Sequence, residues 1–243
     1  LAMEQRFGTP FLHVADMQEW HGIEGISDLY RQIGKMLGCE NAVERVLQEE
    51  YERVAARYQE LRAEFAKYKF CLIAHGIAYL PDALRVYQQD YGLPIEKICI
   101  IMNPSYQAET GLDDAMMQRF KDRIELAKAE YGCEAQVLLE PSEDALREAA
   151  QSCDFVICNG HPRYASLNVP VLYNLFDRSV WNYQGFVDIM EEVWQMLQQP
   201  QRIGSSLLLS KLAYDPVFYP MREADKDSKA SRELYSRTWR QRK

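Results

Sequence analysis

Four polar residues stand at or just after the ends of short apolar runs, and their types suit ligand binding better than nucleophilic attack. They are His75, Asn103, Asn159 and His161. If those runs are parallel strands, their carboxyl ends meet at one edge of a sheet, where open α/β sheets bind ligands. Imidazole and amide groups both donate and accept hydrogen bonds. The sequence therefore predicts a polar pocket at this edge, although turns also use such residues for conformational reasons.

Motifs that would specify a particular reaction are absent from the sequence. The residues from His75 to Tyr79 form neither a dinucleotide-binding glycine pattern nor a P-loop, which disfavours a nucleotide cofactor. No Gly-x-Ser-x-Gly occurs, which argues against a hydrolase of that type. The four histidines lack the His-Glu-x-x-His spacing of zinc proteases, so we predict no metal ligands among them.

The six cysteines indicate free thiols in a reducing compartment, which favours the cytoplasm. No two of them follow the Cys-x-x-Cys spacing. Cys71, Cys99 and Cys158 lie within apolar runs, where cysteine behaves as a small hydrophobic residue. We therefore expect no metal or cluster site built from these cysteines alone.

The elements that would position the pocket are predicted by a change of hydrophobic period at residue 69. From there, short apolar runs alternate with helical segments, as in a parallel sheet covered on both faces. The runs are 70–74, 98–102, 135–139, 155–158 and 169–173, and the helices between and after them are 81–91, 113–131, 142–151 and 183–197. Right-handed crossovers then give an α/β fold, a doubly wound Rossmann-like parallel sheet, over residues 69–199.

Residues 1–68 are predicted to form the end of a preceding α/β domain and a long connecting helix. Apolar residues recur at spacings of three and four between Val43 and Phe65, which predicts one helix over 41–68. The segment before it is predicted as a strand–loop–helix unit. Its parts are an extended run at 9–14, a loop from Gly22 to Gly25, and a helix capped by Ser27 that ends near Gly38. A second cap is predicted at Ser142, which precedes two acidic residues.

Charge and hydropathy exclude some classes of partner. The net charge of −8 argues against nucleic acid, and no apolar run reaches the roughly 18 residues of a membrane span. The chain opens at Leu1 rather than Met, so we expect a piece of a longer protein.

Residues 200–243 are predicted to be a basic carboxyl-terminal tail. From Pro220 to Lys243 there are eight Lys or Arg residues against four Asp or Glu. Two interpretations stay open, a solvated or disordered terminus and a docking arm for an acidic partner. Before that stretch, the apolar run from Leu207 to Leu212 could pack back on the body of the protein as a helix.

Two groups of short motifs resemble one protein family. The first is Met3 to Pro10 (Met-Glu-Gln-Arg-Phe-Gly-Thr-Pro), followed by Gly22 to Leu29. The second begins at Cys153-Asp154-Phe155-Val156-Ile157-Cys158-Asn159-Gly160 and continues through Asn168-Val169-Pro170 to Asn182-Tyr183-Gln184-Gly185. In order and spacing over residues 1–198, they are similar to the carboxyl-terminal portion of nitrogenase component 1 and nitrogenase-like oxidoreductase subunits.

The resemblance implies a subunit of an oligomeric reductase. Such a subunit pairs with a paralogous or identical component 1 subunit and receives electrons from an ATP-dependent iron protein. The resemblance also implies an iron-sulfur cluster in the full-length parent, and a small-molecule substrate. We expect this fragment alone to bind no cluster and to be inactive.

Neither of the family's two cofactor ligands has a counterpart within this sequence. The cofactor-ligating cysteine of the family would fall just before Leu1, and its cofactor-ligating histidine would align with Trp181. An indole only donates a hydrogen bond, so Trp181 cannot ligate a metal. Trp181 is instead a candidate pocket residue that would stack on a ligand, beside His75, Asn103, Asn159 and His161.

Three functions from different classes stay open on the sequence. The first is a fragment of a nitrogenase-like reductase subunit that helps to enclose a cluster, cofactor or substrate. The second is a small-molecule binding or cofactor-assembly module on the same fold, without a redox centre. The third is a sugar-nucleotide or similar small-molecule enzyme with a Rossmann-like domain.

Overall fold

A computed structural model provides the structure of the chain. It describes residues 2–8, 12, 21–75, 80–101, 113–158, 164, 167–173 and 180–198. The extended run predicted at 9–14 lies almost wholly outside these residues, and so does the basic tail.

Five strands form one parallel sheet at the centre of the described structure. They are β1 (Phe70–His75), β2 (Ile95–Ile101), β3 (Gln136–Leu139), β4 (Phe155–Cys158) and β5 (Val171–Tyr173). Their order is β3-β2-β1-β4-β5, and every adjacent pair is parallel. The α/β class and the doubly wound, Rossmann-like parallel sheet predicted from the sequence are therefore confirmed.

Both faces of the sheet are buried because its central strands carry apolar side chains at successive positions. On β1, Leu72 and Ala74 belong to the larger core cluster, while Cys71 and Ile73 belong to a smaller cluster on the opposite face. This alternation follows from the two-residue period of a strand.

The described helices are α1 (Ala2–Phe7), α2 (Gly22–Leu37), α3 (Glu40–Phe65), α4 (Leu80–Leu84), the π-helix π1 (Arg85–Tyr91), α5 (Asp114–Glu130), α6 (Glu143–Gln151) and α7 (Tyr183–Gln198). Residues of α2, α3, α4, π1, α5 and α7 belong to the larger core, and residues of α6 belong to the smaller core on the opposite face. The long helix predicted before the sheet is thus present as α3. Each helix predicted after a strand is also present, with ends that differ by a few residues. None of the helices in the described ranges has the length and apolar character that a bilayer crossing needs.

Local chemistry explains where α5 and α6 begin. The side chain of Asp113 accepts a hydrogen bond from the backbone N–H of Met116 at 2.8 Å. The hydroxyl of Ser142 accepts one from the N–H of Ala145 at 3.3 Å. Each bond satisfies an N–H that has no partner within its helix, so the cap predicted at Ser142 is confirmed.

The predicted start of α2 was wrong. Gly22 to Gly25 form the first turn of this helix rather than a loop, and Ser27 lies inside the helix rather than at its cap. The hydroxyl of Ser27 donates to the carbonyl of Ile23 and pairs with the hydroxyl of Tyr183, both at 2.6 Å. Glycines disfavour a helix on propensity alone. Tertiary contacts override that preference here, because Gly22 and Gly25 are buried against the rest of the fold.

Helices α3 and α7 lie side by side and run in the same direction. The rings of Tyr51 and Tyr183 are in edge contact near the start of α7, with centroids 6.2 Å apart. Further along, Arg57 pairs with Glu191. At the far end, Gln198 donates to the hydroxyl of Tyr68 at 3.1 Å. The contacting residues therefore follow the same order along both segments. The two helices are parallel, and together they cover the larger core.

The larger core dominates the stability of this fold, and truncation within it should be costly. Leu61 on α3 is completely buried, whereas Leu126 on α5 is 69% exposed. We expect Leu61→Ala to lower the free energy of unfolding by about 2–5 kcal/mol, because it leaves a cavity. Leu126→Ala should lower it by less than about 0.5 kcal/mol. Urea denaturation of both variants measures the difference, and equal losses would contradict the described packing of α3.

Candidate functional site

The carboxyl edge of the sheet contains a topological switch point between β1 and β4. From β1 the chain proceeds to β2 and β3 on one side, whereas β4 and β5 lie on the other side. Ile73 of β1 is paired with Cys158, the last residue of β4. His75 is paired with Ile101, the last residue of β2. The strand order changes direction between β1 and β4, and open α/β sheets bind their ligands at such a point.

The predicted pocket residues belong to the ends of these strands. The backbone of His75 is the last residue of β1, at the switch point. The side chain of His75 lies outside the described structure, as do Asn103, Asn159 and His161. The strands that immediately precede these residues are parallel neighbours. The convergence of the four side chains stays a prediction.

Trp181 is described, and it lies beside α2. Its side chain is 51% exposed, and its backbone carbonyl accepts a hydrogen bond from the hydroxyl of Tyr30 at 2.8 Å. The next residue, Asn182, caps α7 by accepting from the N–H of Gly185 at 2.6 Å. These bonds hold the backbone of Trp181 and leave half of its indole available to a ligand.

Cysteine side chains line the smaller core rather than a cleft. The sulfur atoms of Cys71 and Cys99 are 3.9 Å apart, yet Cys71 is in register with Lys97 and Cys99 with Ile73. Diagonal neighbours of this kind are roughly 7–8 Å apart at Cα, which is too far for a relaxed disulfide. Both thiols are completely buried and free.

This cysteine set does not fit an iron-sulfur cluster. Thiolate ligands must lose their protons, and contact with Cys99 together with burial strongly raises the pKa of Cys71. Burial raises the pKa of Cys158 to about 12, and burial also raises the pKa of Cys133 and Cys153. Within the described ranges, no group of three or more His, Cys, Asp or Glu side chains is arranged to hold a metal ion.

A buried polar network, which the sequence did not predict, joins α2 to π1. Asp90 accepts from the guanidinium of Arg85 at 3.0 Å and from the backbone N–H of Glu24 at 3.2 Å. Arg85 also donates to the carbonyl of His21 at 3.1 Å, and the His21 ring is 3.1 Å from the hydroxyl of Tyr91. The Asp90 carboxylate thus caps α2 from another helix, and its charge is favourable beside a helix N-terminus.

The two titratable groups of this network have pKa values shifted in opposite directions. Burial lowers the pKa of His21 to about 4, and the positive charge of Arg85 adds to the decrease. Burial raises the pKa of Asp90 to about 6, although Arg85 and the N–H of Glu24 oppose the increase. At neutral pH the network therefore contains a neutral imidazole and a carboxylate paired with a guanidinium.

The π-helical geometry of π1 explains why sequence analysis missed this network. Arg85 and Asp90 are five residues apart, which places them on different faces of an α-helix. A π-helix has hydrogen bonds between residues five apart, which brings the side chains of Arg85 and Asp90 towards one face. Hydrophobic periodicity carries no signal for such a turn. The one available indication was an Arg and an Asp five residues apart in one predicted helix.

The described sheet defines an α/β protein of the doubly wound class. The family model for nitrogenase component 1 type oxidoreductase matches residues 1–198, so the chain belongs to this family. Among solved structures, the chain is similar to one titled "Nitrogenase Cp1 at pH 6.5", at 12% sequence identity and a TM-score of 0.49. That match covers 74% of this chain and 44% of the other chain, so this chain spans less than half of its length. A comparison with curated proteins found no match.

Gly22 tests the contact between α2 and Asp90. Gly22 has a φ of +84°, and a Cβ atom there would lie 2.1 Å from a carboxylate oxygen of Asp90. We expect Gly22→Ala to lower the free energy of unfolding by about 2–4 kcal/mol, through backbone strain and displacement of Asp90. Gly38, at the other end of α2, has a φ of +66° and no atom within 4 Å of such a Cβ. Gly38→Ala should therefore cost only about 1 kcal/mol. Thermal unfolding of the pair provides the comparison, and equal losses would contradict the network.

The opposite pKa shifts predict opposite pH dependences in two variants. The lowered pKa of His21 contributes stability that is complete above pH 6.5 and is lost as the pH falls through about 4. The raised pKa of Asp90 contributes stability that is complete below pH 3.8 and is lost as the pH rises through about 6. In the native chain the two effects oppose each other between these limits.

When either His21 or Asp90 is removed, the pH dependence of stability that the other contributes should become measurable. Relative to the double variant, which lacks both groups, Asp90→Asn should lose roughly 2–3 kcal/mol of stability as the pH falls from 6.5 to 4. His21→Gln should gain a similar amount as the pH falls from about 6 towards 3.8. Denaturant unfolding at a series of pH values measures both slopes. The double variant is the control, and its pH profile should be parallel to that of the native chain.

Proposed function

We propose that this chain is part of a component 1 subunit of a two-component reductase. In this proposal, residues 1–68 end one domain and lead into a Rossmann-like domain at 69–199, which a basic tail at 200–243 follows. The carboxyl edge of the sheet helps to enclose a cluster, cofactor or substrate during ATP-driven, low-potential reduction. The observation that carries the proposal is the switch point between β1 and β4, in a chain that belongs to this oxidoreductase family.

The pocket residues have binding roles in this proposal. His75, Asn103, Asn159 and His161 supply hydrogen bonds to a polar ligand. Trp181 contributes an aromatic surface on which a flat or apolar group stacks, and its half-exposed indole supports that role. None of the five acts as a nucleophile.

The redox chemistry of the proposal depends on groups outside the described residues. An iron-sulfur cluster in the full-length parent supplies electron transfer, and its cysteine ligands come from elsewhere, because the buried cysteines of this chain do not fit. The proposed partners are a second component 1 subunit, paralogous or identical, an ATP-dependent iron protein and a small-molecule substrate. The proposed location is the cytoplasm. The described residues help to shape the pocket and exclude water from it.

A second candidate function is a non-redox binding or cofactor-assembly module on the same fold. The observation that favours it is the position of the cysteines, which are in the core and have raised pKa values. Trp181 adds to this, because it stands where the resemblance would align a ligating histidine and cannot ligate a metal. In this case the same edge binds an intact small molecule and no electron transfer follows.

Spectroscopy of the full-length parent distinguishes the two functions. We expect the parent, purified without oxygen together with its partner subunit, to contain iron and to absorb visible light as iron-sulfur proteins do. Its association with the iron protein should depend on ATP. A colourless, iron-free protein that is stabilised against heat by a free metabolite would overturn the reductase proposal in favour of the binding module.

A variant of His75 tests the pocket within that complex. His75→Ala should change the electron paramagnetic resonance spectrum of the reduced complex or weaken substrate binding about tenfold, the expected loss for one buried hydrogen bond. Leu126→Ala, on the exposed side of α5, is the matched control and should change neither. If His75→Ala leaves both the spectrum and the binding unchanged, the carboxyl edge is not the ligand site.

A further inference from the structure

An apolar groove of about 480 Å³ lies between α2 and α3, near the start of α7. Ile26 and Tyr30 line it from α2, and Val43 and Leu47 line it from α3. Tyr183 closes it at the start of α7. Val46, also in the lining, is 52% exposed, whereas apolar side chains further along the same helix, Val54, Tyr58, Leu61 and Phe65, are buried.

The rim of this groove is acidic. Between residues 40 and 52, α3 carries five glutamates against one arginine, for a net charge of −4. Arg31 pairs with Glu44, and Arg53 pairs with Glu50, so part of that charge is neutralised. Glu40 and Glu49, which flank the lining residues of α3, have no salt bridge among the described residues. The groove therefore fits an apolar segment with basic residues beside it.

The carboxyl-terminal part of the same chain contains such a segment. The first apolar run beyond the described structure is Leu207-Leu208-Leu209, with Leu212 close behind it. Arg202 and Lys211 are the charged residues around it, and the basic stretch from Pro220 to Lys243 follows. The residues between Gln198 and Leu207 are Gln, Pro, Arg, Ile, Gly and Ser, and carry no acidic side chain.

The connecting length matches the distance that the segment must cover. The groove lies at the start of α7, whereas the described chain ends at Gln198, at the other end of the same helix. The helix has 16 residues, which corresponds to about 24 Å. Nine residues of extended chain from Gln198 to Leu207 reach about 30 Å. The apolar run is therefore the first part of the tail that is both able to reach the groove and suited to filling it.

We propose that the groove between α2 and α3 is the binding site for residues 207–212 of the same chain. The leucines cover Val43, Val46 and Leu47, and the basic residues around and beyond them lie along the acidic rim of α3. This interaction is independent of the proposed reductase function. Of the two interpretations of the tail, it favours the docking arm for an acidic partner, and that partner is α3.

Amide hydrogen exchange in the 243-residue chain tests this proposal. Replacing Leu208 and Leu209 with aspartate should increase exchange in residues 43–50 about tenfold, which corresponds to about 1.4 kcal/mol of lost protection. The matched control replaces Ser205 and Ser206 with aspartate, which adds the same charge to the same segment. This control should leave the exchange in α3 unchanged.

A variant on the other side of the interface completes the test. Val46 is exposed, so Val46→Asp should preserve the fold while it increases exchange in residues 207–212. If the leucine and serine variants behave alike, or if neither changes exchange in α3, the proposal is overturned. Protection of α3 that depends on protein concentration would also overturn it, because a second copy would then be the occupant.

Discussion

The fold depends on the position of β1 between two parallel neighbours. β2 and β4 pair with its opposite edges, and its side chains from Phe70 to Ala74 are buried on both faces. A strand in this position has its backbone groups satisfied by the ladders and contributes apolar area to two cores at once. Every other element is placed relative to it. The edge that ends at His75 has its shape because β1 is the strand from which the two halves of the sheet diverge.

A second constraint fixes how the amino-terminal helices are attached to this sheet. Asp90 satisfies both the N-terminus of α2 and the guanidinium of Arg85, so one carboxylate connects α2 to π1. Removing one partner from such a buried pair leaves an uncompensated charge, which is why these networks are costly to disrupt. Direct bonds also hold α2 against α7 and α3, from Ser27 to Tyr183 and from Arg31 to Glu44. The groove that we assign to the carboxyl-terminal segment exists because α2 is held there.

Much of the fold could be predicted from the sequence because its elements obey simple periodicities. The apolar runs of the strands, the three-and-four spacing of α3 and the cap at Ser142 are all local signals. The start of α2 could not be predicted, because the side chain that stabilises it belongs to Asp90, 66 residues from Glu24 in the sequence. Without knowledge of the contact with Asp90, helix propensities predict a loop at Gly22 and Gly25.

The candidate site could be predicted only in part, for a related reason. Strand ends predict which residues approach one edge, because parallel strands share their direction. They do not predict side-chain positions in the connections that follow, and this limits the prediction at Asn103, Asn159 and His161. Trp181 shows the difference, because its backbone is held by Tyr30, a residue 151 positions away that no sequence pattern connects to it.

The π-helical turn of π1 determines how the Arg85–Asp90 pair would respond to a change of chain length. A π-turn holds one residue more than an α-turn, so deleting a single residue between Arg85 and Asp90 would restore ordinary helical winding. The two side chains would then be four residues apart on an α-helix, which keeps them neighbours on one face. A homologous sequence with a gap of one residue at this point therefore retains the spacing for the same ion pair and for the same cap on α2.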